Sequence, residues 1–176
     1  GKVPILSIVL GTVSCTSALA AGISDFVILD QQRGRMFMRS PYVIPEIISG
    51  EVDEDTLGGA SHHASRSGVA CMVSESESGA FDIAAEILSF LPDHTMAEPP
   101  RLSTGDKWKR KCRGMSKLVP LDSDRPYDMR GVIAEVFDDR RFLELFSSYA
   151  ENVVVGFARL DGVPVGVVGN QPSVLA

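Results

Sequence analysis

Pro4-Ile5-Leu6-Ser7-Ile8-Val9-Leu10-Gly11, then Thr12-Val13-Ser14-Cys15-Thr16-Ser17-Ala18, then Asp25-Phe26-Val27-Ile28-Leu29 is the stretch whose reading decides the fold class. The first run is almost wholly apolar and short, which suits a strand covered on both faces. Gly11 ends it. Residues 12–18 are all small or β-branched, and the reading is a helix that starts there and runs to about Gly22. Small side chains let its backbone lie close to a neighbour. Asp25 to Leu29 is a second buried strand, and Arg35 to Met38 a third, very short one. Short buried strands alternating with a small-residue helix indicate an α/β protein.

Downstream, Pro45 to Ile48 reads as a helical turn closed by Gly50, and Asp53 can cap a following helix with Thr56 at the same end. Gly58-Gly59 is a turn and Val69 to Val73 a strand. Ser76 to Phe90 is the clearest helix, because Ala80, Ile83, Ala84, Ile87, Leu88 and Leu91 recur at helical spacing until Pro92. From His94 to Asp124 periodicity fades among Pro99-Pro100, Gly105, Gly114 and Pro120, as in a linker or inter-domain arm. Its Arg101-to-Lys117 part holds Arg101, Lys107, Lys109, Arg110, Lys111, Arg113 and Lys117 against Asp106 alone. That strip reads either as a solvated basic arm or as a contact for phosphates or an acidic partner. Asp128 to Phe137 is helical, and Arg141 to Phe146 a helix or an edge element. Asn152–Arg159 and Val163–Gly169 are strands around Leu160-Asp161-Gly162, a strong hairpin signal. A hairpin alone is marginal, so the expectation is an incomplete piece whose partner strands lie elsewhere.

The bulk properties restrict the function classes. A formal charge of −6 disfavours nucleic acid as the main partner, since phosphate neutralisation needs a basic face. Cys15, Cys71 and Cys112 are odd in number and contain no C-x-x-C pair, which argues against a zinc knuckle and for a reducing compartment. Cys71 reads as a buried small hydrophobe and Cys112 as an exposed thiol. The apolar Ile5–Ala21 segment is interrupted by Gly, Ser and Thr and followed directly by Asp25, so it reads neither as a signal peptide nor as a membrane span. His62 and His63 lack a second ligand pair at sensible spacing, so no metal is expected, and His63 reads as structural.

Several longer motifs carry a resemblance. Arg125-Pro126-Tyr127-Asp128-Met129-Arg130 with Val132-Ile133, Asn152-Val153-Val154-Val155-Gly156-Phe157-Ala158-Arg159-Leu160-Asp161-Gly162, Pro164-Val165-Gly166 and Asn170-Gln171-Pro172 stand in order in the second half. Val3-Pro4-Ile5 to Gly11, Ser24-Asp25-Phe26-Val27, Leu57-Gly58-Gly59-Ala60, His63 and Ser67-Gly68-Val69-Ala70 stand in the first. Together they resemble the carboxyltransferase (β) subunits of biotin-dependent acyl-CoA carboxylases, of the propionyl-CoA carboxylase type. The resemblance implies a crotonase-like α/β spiral, here the later half of a first domain plus the opening hairpin of a second. The division it suggests is 1–98, a basic inter-domain arm at 99–124, and 125–176.

The implied reaction moves a carboxyl group from carboxybiotin, on a partner carrier domain, to the α-carbon of a short-chain acyl-CoA of acetyl or propionyl type. A thioester enolate needs backbone N–H donors at a tight turn or helix N-terminus. The family uses a Gly-Gly pair, and the matching positions here are Cys15 and Thr16, a departure that keeps the backbone donors but adds side chains. Ser14, Ser17 and Arg39 are the accompanying substrate-binding candidates. Arg39-Ser40-Pro41 stands where the family usually has Thr-Gly-Pro, a second departure. No side-chain base is implied, and the family's second oxyanion turn is expected just after Ala176. Partners implied are acyl-CoA, a biotin carboxylase/biotin carrier subunit and further carboxyltransferase subunits, with Ser17 to Gly22 near one of them and the basic strip open to CoA phosphates. Neither nucleic acid nor membrane is expected, and the location is cytoplasmic, or the mitochondrial matrix in a eukaryote. Two other readings stay open: a non-catalytic paralogous subunit that scaffolds such a complex, and a biotin-independent acyl-CoA decarboxylase or transferase of the same fold.

Overall fold

β-branched and aliphatic runs set the strands of a computed structural model that describes residues 3–46, 53–107, 109–122 and 124–174, with backbone only at 44–46. The chain forms two compact units, Gly1–Glu86 and Ile87–Ala176. In the first, β1 (Leu6–Val9), β3 (Phe26–Asp30) and β5 (Met72–Ser74) make a parallel sheet in the order β1-β3-β5. β2 (Thr12–Ser14) and β4 (Arg35–Phe37) make a second parallel pair, with Ser14 opposite Phe37. Parallel strands need crossovers. One is α1 (Thr16–Gly22), whose Ala18 and Ala21 are buried. Val9, Ala21, Val27, Leu29, Met36, Ala60 and Ala70 form the core cluster.

The helix expected from Thr12 thus begins only at Thr16. Thr12 and Val13 are β-branched, stiff at χ1 and suited to pleated pairing, and the Arg35–Phe37 strand offers them a ladder. The passage from β3 to β4 is equally local. Asp30 accepts from the N–H groups of Gln32 (3.1 Å) and Arg33 (2.8 Å), and Gly34 N–H donates to the Asp30 carbonyl (2.8 Å). A Cβ at Gly34 would lie 2.6 Å from that carbonyl oxygen, so only glycine fits.

Pro41–Glu46 is a 3-10 segment. Ile47, Ile48 and Gly50, expected at its end, lie outside the described residues. α2 (Glu54–Gly58) starts as expected: the Asp53 carboxylate accepts from Thr56 N–H at 2.9 Å. α3 (Ala60–His62) runs into a π turn, His63–Ser67, which Gly68 closes with φ 67°. α4 (Glu77–Ser89) crosses the boundary between the units.

The second unit holds α5 (Met115–Leu118), α6 (Met129–Val136) and an antiparallel sheet of β6 (Phe142–Leu145), β7 (Val153–Leu160) and β8 (Val163–Asn170) in that order. Arg141–Phe146 is therefore the edge element of the two alternatives. Asp161 (φ 52°) and Gly162 (φ 77°) both take positive φ, the requirement of a tight type I′ hairpin turn. The buried Asp138 carboxylate accepts from Gly162 N–H at 2.7 Å, and Leu102 N–H donates to the Gly162 carbonyl at 3.0 Å.

The basic strip is partly structural rather than solvated throughout. Arg110 is half-buried, donates to the carbonyls of Glu135 (2.8 Å), Phe137 (2.9 Å) and Val136 (3.4 Å), and pairs with Asp106 at 2.8 Å. Its guanidinium thus satisfies the open carbonyl end of α6. Cys112, read as exposed, is half-buried. Gln171 is fully buried: its Oε1 accepts from Met129 N–H (3.0 Å) and its Nε2 donates to Asp128 (2.7 Å), which joins the end of β8 to the start of α6.

Candidate functional site

The site is built around Cys15, the corner between β2 and α1. Its N–H donates to the Phe37 carbonyl at 3.0 Å, extending the β2–β4 pairing by one residue. Its own carbonyl accepts from Leu19 N–H at 3.0 Å and so starts the helix. The residue takes φ 54° and ψ −126°, a conformation that suits glycine, and its side chain makes no cap hydrogen bond. Of the two N–H groups expected to face a ligand, that of Cys15 is therefore already bonded within the protein. Thr16, Ser17 and Ala18 follow as the head of α1, where the helix itself provides no acceptors for their N–H groups.

Beyond this corner, α1 and the end of β4 enclose an apolar cavity of about 200 Å³, lined by Leu19, Ile23, Met36, Phe37, Met38 and Val69 among others. Leu19 is 50% exposed, Ile23 75% and Met38 67%, so large apolar groups face open space at its mouth. His63 is the one polar lining residue. Its Nε2 is 2.9 Å from the Met36 carbonyl and its Nδ1 2.8 Å from Ser67 Oγ, which leaves neither ring nitrogen to a ligand. This ties the π turn to β4 and fixes one wall.

Ser14 is half-buried on β2, Ser17 is exposed on the first turn of α1, and Arg39 is exposed one residue beyond Met38. Among the described residues none of these three side chains has a hydrogen-bonding or ionic partner. The fold thus brings Ser14, Cys15, Thr16 and Ser17 together as one corner. The cavity residues were not singled out from the sequence. Leu19 and Ile23, four apart on a short helix and both apolar, were the available signal. Burial raises the Cys71 thiol above its ordinary range and its Sγ lies 3.2 Å from the Val27 carbonyl, as expected of a packed, unreactive cysteine. No group of three or more His, Cys, Asp or Glu side chains among the described residues could hold a metal ion. No helix among them is long and apolar enough to cross a membrane.

The family described as carboxyl transferase domain matches residues 1–176. The chain belongs to this family. It is 37% identical over 180 residues to the biotin-dependent acetyl-/propionyl-coenzyme A carboxylase beta5 subunit of Mycobacterium tuberculosis, covering 98% of this chain and 33% of that protein. It is 35% identical over 176 residues to the methylmalonyl-CoA decarboxylase subunit alpha of Veillonella parvula, covering 100% of this chain and 35% of that one. Among solved structures, the transcarboxylase 12S hexamer with methylmalonyl-coenzyme A and methylmalonic acid bound superposes with a TM-score of 0.91 at 35% identity, over 98% of this chain and 33% of its own. This member of the carboxyl transferase domain family thus spans about a third of the length of the relatives it matches. Its fold is crotonase-like α/β.

Proposed function

We propose that these residues form the acyl-CoA half of a carboxyltransferase site, in a subunit that transfers a carboxyl group from carboxybiotin to the α-carbon of an acyl-CoA. The supporting observation is the juxtaposition at α1: a helix N-terminus with open N–H groups and, from Ala18 onward, the wall of an apolar cavity. Thr16 N–H, with Ser17 N–H in place of the bonded Cys15 N–H, donates to the thioester oxygen. As the α-carbon loses its proton, negative charge moves onto that oxygen, and fixed donors are worth most where charge develops. The α-carbon would bond to the carboxyl carbon as that carbon's bond to the biotin ureido nitrogen breaks, and the α-proton would leave on that nitrogen, so no side-chain base of this chain is required.

Biotin, as carboxybiotin on a partner carrier, supplies the carboxyl group. The α1 cavity does not fit its ureido ring, which needs both donors and acceptors, because the lining is apolar and His63 is fully bonded. Carboxybiotin's half of the site is accordingly assigned to other residues. By analogy with the relatives, the subunit assembles with further copies, a biotin carboxylase/biotin carrier component and acyl-CoA, in the cytoplasm or mitochondrial matrix. Ser14 and Arg39 remain substrate-binding candidates at the rim. The relative named as a decarboxylase subunit supports a second reading, release of the carboxyl group through the same enolate.

The test is turnover of propionyl-CoA by the full-length protein in its native assembly. Thr16→Pro deletes one donor and lowers turnover about a hundredfold or more. Thr16→Ala keeps the N–H and stays within about tenfold of the parent, well short of the loss of an oxyanion donor. Full activity in a Thr16→Pro assembly of unchanged size and circular dichroism overturns the proposal and leaves a scaffolding subunit.

A further inference from the structure

We infer that His63 is a positioning residue: through the Met36 carbonyl it holds β4, and through β4 it holds the Cys15 corner in place for the reaction. The inference rests on the reading of that corner as part of the acyl-CoA half-site and adds the side chain that keeps it aligned.

The first argument is the chain of bonds. β4 has three residues, and its two ends serve the β2 side: Arg35 N–H donates to the Gly11 carbonyl at 3.1 Å, and the Phe37 carbonyl accepts from Cys15 N–H at 3.0 Å. Consecutive carbonyls of a strand point to opposite edges, so the Met36 carbonyl between them faces away from β2. A two-stranded pair is marginal alone, and β2–β4 is such a pair. Its outer edge is braced by residues 55–63. Arg35 pairs with Asp55 at 2.8 Å, and His63 Nε2 lies 2.9 Å from the Met36 carbonyl oxygen. Gly58 lets this brace close, since a Cβ there would lie 2.4 Å from the same oxygen.

The second argument is the ring itself. A carbonyl only accepts, so Nε2 carries the proton, and Nδ1 accepts from Ser67 Oγ at 2.8 Å. The two contacts fix one tautomer and one ring orientation, and they leave His63 to act through β4 rather than on a ligand. The third is leverage. The Cys15–Phe37 bond sets where α1 begins, so a β4 released from His63 carries the corner with it. A misplacement of about 1 Å caused by a residue away from the chemistry costs up to about a hundredfold in rate.

The experiment uses the full-length protein in its native assembly, with a carboxybiotin donor and propionyl-CoA. It reads kcat and KM beside amide hydrogen exchange of the peptide covering residues 12–18. His63→Leu should speed exchange at 12–18 and leave exchange at 142–170 unchanged, because the opening is local. It should lower kcat about tenfold or more with little change in KM. His63→Gln keeps an amide N–H for the Met36 carbonyl and should recover both readouts. Should His63→Leu fail to assemble, Ser67→Ala carries the test: it frees the ring's orientation and should shift both readouts the same way by a smaller factor. Unchanged exchange at 12–18, or a glutamine variant no better than leucine, overturns the inference. So does full turnover in His63→Leu where Thr16→Pro is impaired, and the thioester reading then stands. Full turnover in both variants overturns the thioester reading and this inference together.

Discussion

Replacing Cys15 by glycine should stabilise the protein, although it removes the side chain at the corner of the candidate site. Cys15 has φ 54° and ψ −126°, close to the first central position of a type II′ turn, where glycine is the favoured residue. Holding a Cβ in such a region costs about 1–3 kcal/mol. Little opposes its removal. The side chain is exposed, so no buried area is lost. The bonds to Phe37 and from Leu19 use backbone atoms and survive. Glycine adds unfolded-state freedom worth about 0.5–1 kcal/mol. The net gain is therefore about 0.5–2 kcal/mol, read as a rise in Tm. Calorimetry on the full-length assembly at fixed protein concentration, compared with Cys15→Ala, isolates the cause. Alanine loses the sulfur but keeps the Cβ and should leave Tm nearly unchanged. Equal shifts for glycine and alanine, or a fall in Tm with glycine, would show that the corner is not strained and that this account of α1 is wrong.

Two further outcomes follow from the second unit. Arg110→Met should destabilise it by about 2–3 kcal/mol, because three carbonyls at the end of α6 and the Asp106 carboxylate lose a charged donor. Arg110→Lys should recover little of this in denaturant unfolding, since an ammonium lacks the planar fork that spans them. The Gln171 amide, then Arg130 N–H and the Arg130 charge, hold the Asp128 carboxyl below its ordinary value of 3.8. A depressed pKa contributes stability that is complete above the unfolded value and lost as pH falls through the folded one. The Tm advantage of the parent over Asp128→Asn should therefore shrink progressively below about pH 4, near the unperturbed carboxyl value. A Tm difference independent of pH contradicts the hydrogen-bonded carboxylate.

The parts of the fold that were legible in the sequence are those set by local chemistry. The apolar Leu6–Val9 run, the Ala80–Leu91 periodicity, the Asp53 cap and the Asp161-Gly162 turn each carry their own cause. Thr12–Ser14 reads as the start of a helix and forms a strand instead, because its partner, Arg35–Phe37, lies over twenty residues away and no local signal announces the pairing. Arg110 was hidden in a charge run for the same reason. Composition counts cations, and only the fold shows which one reaches a helix end. The turn at Cys15 and Thr16 was located through motif resemblance, not through residue chemistry, because neither residue advertises a glycine-like corner.

The Cys15–Phe37 bond changes how the site is understood. A loop presenting two free donors could adjust each one independently to its ligand. Here one of the two is bonded to β4, and that bond fixes where α1 begins. Phe37 then serves twice: its carbonyl anchors the corner, and the residue lines the apolar cavity. Met36, its neighbour, lines the same cavity, and its carbonyl accepts from His63 Nε2–H at 2.9 Å. Donor position and cavity wall are thus set by one strand of three residues. A change that shifts β4 should move the head of α1 and the cavity wall together, whereas a change on the exposed face of α1 should alter the wall alone. Leu19 and Gly22 are therefore positions at which the cavity wall can vary without displacing the N–H groups of Thr16 and Ser17.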